Sequence, residues 1–244
     1  MDSVTPVPAA NKKKPFAIAS ITLILSVFLV FSEMILPYVR AILLDLPFEY
    51  VFDFSTVANY LFIMLCILCV AVATFFKKSN IFLIVSLFLL GFAYAAFAII
   101  DASALLDAWA QNTAMGYTEF KTDLILLYGP YIAAGMCAAL GWAVLGLVAI
   151  ISRKKPSNLW ILSTVLFVIS ALAVAVILGR FVIDNFERLG WALEVWLDYG
   201  IGGASNAVYD FFFRFLVPVF YLGSIVLHFV SSILLGLYLK KLVK

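Results

Sequence analysis

The sequence predicts an all-α, polytopic membrane protein with six transmembrane helices arranged as three hairpins and an outer interfacial amphipathic helix. Three observations carry that expectation. Of 244 residues, 66% are hydrophobic and 12% charged, against roughly 45–50% and about 25% in soluble domains. The apolar residues gather into six runs of roughly 20 residues or more, long enough to cross a ~30 Å hydrocarbon core as helices and too long for barrel strands. The cations cluster in alternate connections between those runs.

The first run, Phe16 to Leu36, follows Lys12, Lys13 and Lys14. Its apolar core is longer than a signal peptide's and no small-x-small cleavage site follows, so it is expected to be a retained helix. Val57 to Phe76 is the second run and contains Cys66 and Cys69. Ile81 to Ile100 starts after Lys77 and Lys78 and pairs with Leu124 to Ile151. Leu159 to Ile183 starts after Lys154 and Lys155 and pairs with Phe211 to Leu239, which ends at Lys240 and Lys241. Residues 1–15 then form a basic tail, 16–239 a single six-helix domain and 240–244 a basic end. The three basic starts give a parallel repeat of hairpins, a spacing that any protein of three short-looped hairpins would also show.

Placing the short, basic connections in the cytoplasm satisfies the positive-inside rule at every one of them and puts both termini inside. All acidic residues except Asp2 then fall at or beyond the outer boundary. That acidic outer surface either attracts cations or basic peptides, or follows from the exclusion of Lys and Arg alone. With a net charge of only +2 and no concentrated basic face, a nucleic-acid partner is excluded. The expected localisation is the plasma membrane, and the lipid bilayer is the one certain partner.

The outer connections carry most of the individuality. Asp184 to Tyr199 sets Phe186, Leu189, Leu193, Trp196 and Leu197 on one helical face opposite mostly charged residues, the pattern of a helix lying in the interface. Gly200, Gly202 and Gly203 would end it. Phe48, Tyr50, Phe52 and Phe54 alternate with Glu49 and Asp53 in the first outer connection. Trp109, Trp191 and Trp196, with several tyrosines including Tyr38, Tyr117 and Tyr209, are expected as an aromatic belt anchoring the outer boundary, or as an interface to a partner.

Polar groups at membrane depth are costly and therefore candidates for function. His228, the only histidine, shares a helical face with Tyr221, Ser224, Ser232 and Gly236, either as a lining for a polar solute or proton or as a packing seam with interhelical hydrogen bonds. Glu33 lies toward the outer end of the first run with Thr22, Ser26, Pro37 and Arg40 roughly on its face. It is expected to pair with Arg40, to snorkel, or to join a binding cavity. Glu33, Tyr221, Ser224 and His228 are the candidate ligand-binding residues. Arg180 with Asp184, and Asp210 with Arg214, are spaced as structural ion pairs. Small-xxx-small seams run through Gly91 and Ala95, Ala134 and Ala138, Gly135 and Ala139, and Ala171, Ala175 and Gly179. Pro130 and Pro218 predict kinks that border a site or simply pack.

No enzyme template is complete. Cys66 and Cys69 have no second thiol pair to relay electrons, because the remaining cysteine is the single Cys137. Ser205 and His228 lie about 15 Å apart in depth, beyond a nucleophile's reach of its base. One histidine and scattered thiols do not make a metal site, so neither cofactor nor metal is expected. Six helices with both ends inside resemble the general shape of vitamin-uptake substrate-binding subunits, with no motif in common. The sequence thus points to a small-solute binding or permeation protein, or a transporter's membrane subunit, with a cavity open to the extracytoplasmic side between the first, fifth and sixth helices. The alternative is a non-transporting scaffold, immunity or sensor protein that meets a membrane-protein partner through acidic, aromatic outer loops.

Overall fold

The computed structural model describes residues 14–45, 54–75, 81–115, 121–155, 157–199 and 205–241. Among them the only regular elements are six α-helices: α1 Lys14–Leu43, α2 Phe54–Phe75, α3 Ile81–Ala114, α4 Lys121–Ile151, α5 Trp160–Tyr199 and α6 Ser205–Lys241. Each holds a stretch long and apolar enough to cross a membrane, so the architecture is that of a multi-pass helical membrane protein. Lys12, Lys13, Lys77 and Lys78, the aromatic alternation at Phe48 to Phe52, Tyr117 and the Gly200, Gly202 and Gly203 hinge lie outside the described residues, as do the side chains of Leu189 and Trp196.

Most helices outrun their apolar stretches. The largest overrun is in α5, whose 40 residues rise about 60 Å, roughly twice a hydrocarbon core. The segment expected as a separate interfacial helix, Asp184 to Tyr199, continues α5 without a break. Local chemistry sets two of the ends. After α1, Asp45 takes φ 50°, a left-handed position that Asp tolerates better than most residues, and its N–H donates to the Ile42 carbonyl at 3.4 Å. Before α5, the Leu159 N–H donates to Ser157 Oγ at 3.1 Å, a local side-chain cap on the entering chain.

Each helix packs on its chain neighbours and α6 closes on α1, with a further contact between α4 and α6, so the six form a ring in chain order. Neighbours run antiparallel. Thr22 bonds Ser231 at 2.8 Å near one end of the α1/α6 pair and Arg40 meets Asp210 near the other. Ser163 and Ser170 of α5 donate to the carbonyls of Gly141 and Ala134 in α4, both at 2.8 Å. The end carrying the start of α1 and the finish of α6 is called the near end below, and the opposite one the far end.

The ring is filled by Trp142, Phe167, Leu23, Ile67, Leu90, Leu145, Ile225 and Leu235, all fully buried, together with His228. Its outside is apolar too, with Phe28, Leu65, Phe92 and Leu172 each more than half exposed. Such a surface would be a liability in water and is the expected one in lipid. Glycines bring α3 against α4: a Cβ on Gly91 would lie 2.9 Å from the Ala139 carbonyl oxygen, and one on Gly135 3.0 Å from the Ala98 Cβ. The expected seam on α5 is different. No described atom lies within 4 Å of a Cβ built at Gly179 and Ala175 is exposed, so only Ala171 of this stripe packs against the core.

Candidate functional site

The polar residues of the interior come from helices whose other interior positions are apolar, and several of them find partners on another helix. Glu33 is buried on α1. Its Oε1 accepts a 2.7 Å hydrogen bond from the Tyr60 hydroxyl of α2. Pro37 lies inside α1 and has no N–H, so the Glu33 carbonyl loses its helical donor. One turn of α1 thereby offers a carboxylate and a backbone oxygen, two acceptor groups facing few donors.

Glu33 and Tyr60 line a cavity with Tyr94 and Phe97 of α3 and Tyr221 and Ser224 of α6. Its volume of about 10 Å³ is close to the smallest that admits one water molecule. Four helices build it, namely α1, α2, α3 and α6. The expectation placed a cavity between α1, α5 and α6, whereas α5 contributes nothing to this lining and faces a separate groove described below. Sequence spacing along single helices shows a polar face but not which helix stands opposite.

His228 is fully buried one turn nearer the near end than Ser224. Tyr94 Oη and His228 Nε2 are 2.6 Å apart, so the histidine reaches the cavity through a tyrosine that lines it. The imidazole is ringed by Tyr94, Trp142 and Phe167, edge to face, at centroid separations of 5.6, 5.1 and 6.2 Å. Among the described residues its Nδ1 and the Trp142 Nε1 have no hydrogen-bond partner. Whichever tautomer is present, one ring nitrogen is left as an unmet donor or acceptor in a dry interior.

Hydroxyls continue the polar track toward the near end. Thr22 bonds Ser231, Thr164 approaches Ser232 at 3.3 Å, and Ser20 bonds Thr74 at 2.7 Å. Ser20 to Glu33 is about 20 Å of helix rise, so polar atoms recur through much of the membrane's thickness. Other interior hydroxyls donate to a carbonyl three residues back, as Ser26 does to Leu23 at 2.7 Å and Ser224 to Tyr221 at 2.8 Å. That is the usual way a hydroxyl is satisfied within a helix.

At the far end the charges pair differently from the expectation for Glu33. Arg40 takes Asp210 of α6 as its partner at 2.5 Å, and Arg214 meets the same carboxylate at 3.1 Å. Arg180 and Asp184 pair at 3.4 Å. Asp210 therefore ties α1 to α6 while Glu33 stays inside with Tyr60. Trp191 is largely exposed near the end of α5, and Trp109 is partly exposed on the extension of α3.

Glu33, Tyr221 and Ser224 thus line one cavity and His228 lies one hydrogen bond from it. Sequence reasoning missed Tyr60, Tyr94 and Trp142. The available signal was a tyrosine hydroxyl or indole N–H within an apolar run, which needs a partner once buried. Among the described residues, no group of three or more His, Cys, Asp or Glu side chains is placed to hold a metal ion. No protein-family model, curated protein or solved structure matches the chain.

Proposed function

We propose that the chain is a small-solute binding or permeation protein, or the membrane subunit of a transporter, with Glu33 as its solute- or cation-binding group. The observation that carries this is a buried carboxylate whose hydrogen-bond partner is a tyrosine and whose nearest expected cation, Arg40, is engaged elsewhere. Uncompensated carboxylates in a membrane interior are expensive and mark ion or substrate pathways. The hydroxyls of Tyr60, Tyr94, Tyr221 and Ser224 suit a small solute carrying an amine or hydroxyls, or a proton. A cavity of about 10 Å³ admits no organic solute, so binding on this proposal includes a parting of α1, α2, α3 or α6. The distribution of Lys and Arg supports a plasma-membrane orientation with both termini cytoplasmic, three hairpins entering from that side and the far end outside.

The test is a thermal-shift screen of purified protein against amines, amino acids, vitamins and monovalent cations, followed by uptake in proteoliposomes. A hit that raises the melting temperature, and that Glu33→Gln and Tyr60→Phe abolish without unfolding the protein, is the expected result. A flat screen and silent proteoliposomes from well-folded protein would refute the proposal. A second function, a partner-binding scaffold, is favoured by the exposed stripe of Ile183, Phe186, Trp191 and Leu197 on the far part of α5. Crosslinking in native membranes discriminates, because that function requires a defined partner at Trp191 and solute carriage does not.

A further inference from the structure

A second concavity lies away from Glu33, between α4, α5 and α6 at the far end. Its volume is about 340 Å³, within the range of small-ligand sites. The walls are mostly apolar, including Leu127, Val176 and Val217, and they turn polar where Arg180, Asp184, Asn185 and Arg214 line the groove. Arg180 lies about 30 Å of helix rise beyond Trp160, one hydrocarbon thickness, and therefore at headgroup level. Val176 is 57% exposed and Leu126 53%, so the groove opens on the lipid-facing flank of the bundle.

Two further features give this groove specific chemistry. Pro130 of α4 and Pro218 of α6 both line it. Each lacks an N–H and so deprives the carbonyl four residues earlier of its helical donor. Those carbonyls belong to Leu126 and Arg214, themselves lining residues. α4 and α6 thus each place one residue whose carbonyl lacks its helical donor among the lining residues. The arginines supply donors. Arg180 meets Asp184 through Nε, and Arg214 meets Asp210 through Nε, and each guanidinium carries further N–H donors on its terminal amino groups. Among the described lining residues two guanidiniums, Arg180 and Arg214, stand with one carboxylate, Asp184, so the lining is net positive.

We propose that this groove binds an anionic glycerophospholipid whose headgroup bears free hydroxyls. The phosphate sits on the guanidiniums of Arg180 and Arg214, the headgroup hydroxyls donate to the carbonyls of Leu126 and Arg214, and an acyl chain lies along Leu127, Val176 and Val217. A free phosphate would leave the apolar walls uncovered, and a zwitterionic choline head has neither net charge nor hydroxyl donors. The groove shares no lining residue with the Glu33 cavity, so this site stands or falls independently of the proposed solute binding.

The test uses the full chain, purified and delipidated in detergent, with native mass spectrometry and thermal shift as readouts and phosphatidylglycerol, phosphatidylcholine and inorganic phosphate as probes. Phosphatidylglycerol is expected to bind and stabilise, phosphatidylcholine to bind at least several-fold more weakly, and phosphate to have no effect. Arg180→Gln should weaken phosphatidylglycerol about tenfold, the scale of one charge-assisted hydrogen bond. Val176→Trp should block the groove, while Leu172→Trp, on the lipid face of α5 outside it, should leave binding unchanged. Equal binding of the two lipids, a full effect of phosphate alone, or wild-type affinity in Arg180→Gln would each overturn the proposal. Arg180→Gln breaks only an exposed pair and keeps the test decisive if Val176→Trp does not fold.

Discussion

Removing the Tyr94 hydroxyl is the sharpest test of how the interior is held. In Tyr94→Phe the ring stays and continues to pack, but His228 Nε2 loses the 2.6 Å partner it has now. Since Nδ1 is already unmatched, both ring nitrogens would then be unmet at a position with 0% exposure. A buried polar group left without a partner costs about 1–3 kcal/mol, whereas interhelical hydrogen bonds measured by double-mutant cycles in membranes average about 0.6 and reach about 1.7 kcal/mol. A loss of about 1–2 kcal/mol follows for Tyr94→Phe. His228→Leu should cost a similar amount, because it leaves the tyrosine hydroxyl in the same position. The double substitution removes both polar groups and should cost little more than either single change, giving a coupling of about 1 kcal/mol. Reversible unfolding in mixed micelles measures all three variants. A Tyr94→Phe cost below about 0.5 kcal/mol, the level of an inconsequential surface change, or a coupling near zero, would refute the reasoning. Uptake assays on the double variant then ask a separate question: lost transport from protein that is no less stable than the single variants would make this pair part of the pathway rather than only of the packing.

The remaining predictions address packing, charge and the buried acid. Gly91→Ala drives a Cβ to 2.9 Å from the Ala139 carbonyl oxygen, an overpacking cost of about 1–3 kcal/mol offset by about 1 kcal/mol of helix propensity. Gly179→Ala meets no described atom within 4 Å and should stabilise by up to about 1 kcal/mol. Opposite shifts in thermal unfolding are expected, and shifts of the same sign would contradict the packing described. Asp210→Ala leaves Arg40 and Arg214 without their shared carboxylate; with side chains 21% and 55% exposed, the loss is about 1 kcal/mol after solvent screening. It should shrink as salt is raised, and a salt-independent loss would point to some other role. Glu33→Gln keeps an oxygen for the Tyr60 hydroxyl and removes a buried carboxylate, so unfolding should show equal or higher stability. A loss comparable to that of Tyr94→Phe would mean Glu33 has a structural partner beyond Tyr60.

The sequence made the six spans legible because lipid contact is recorded directly in runs such as Ile81 to Ile100. It did not show where helix stops, since apolar runs report depth rather than backbone conformation, and α3 and α5 carry on to Ala114 and Tyr199. Glu33, Tyr221, Ser224 and His228 could be singled out because each is a polar side chain inside an apolar run. Their partners could not. Glu33 had Arg40 two turns away on its own helix, yet the structure gives the carboxylate to Tyr60 and the guanidinium to Asp210, on α2 and α6. The same limit explains the seams. Gly91 and Gly179 have like neighbours in sequence, and only the position of α4 beside one of them makes it a contact.

The closure of α6 on α1 has an engineering corollary. Because that junction packs as an ordinary antiparallel neighbour pair, no break between consecutive helices is geometrically privileged. A rearranged gene that fuses residue 241 to residue 14 through a flexible tether and begins at Ile81 should retain every helix–helix junction. Split halves expressed as separate polypeptides, α1 with α2 and α3 through α6, should likewise find one another, since each half presents two complementary edges to the other.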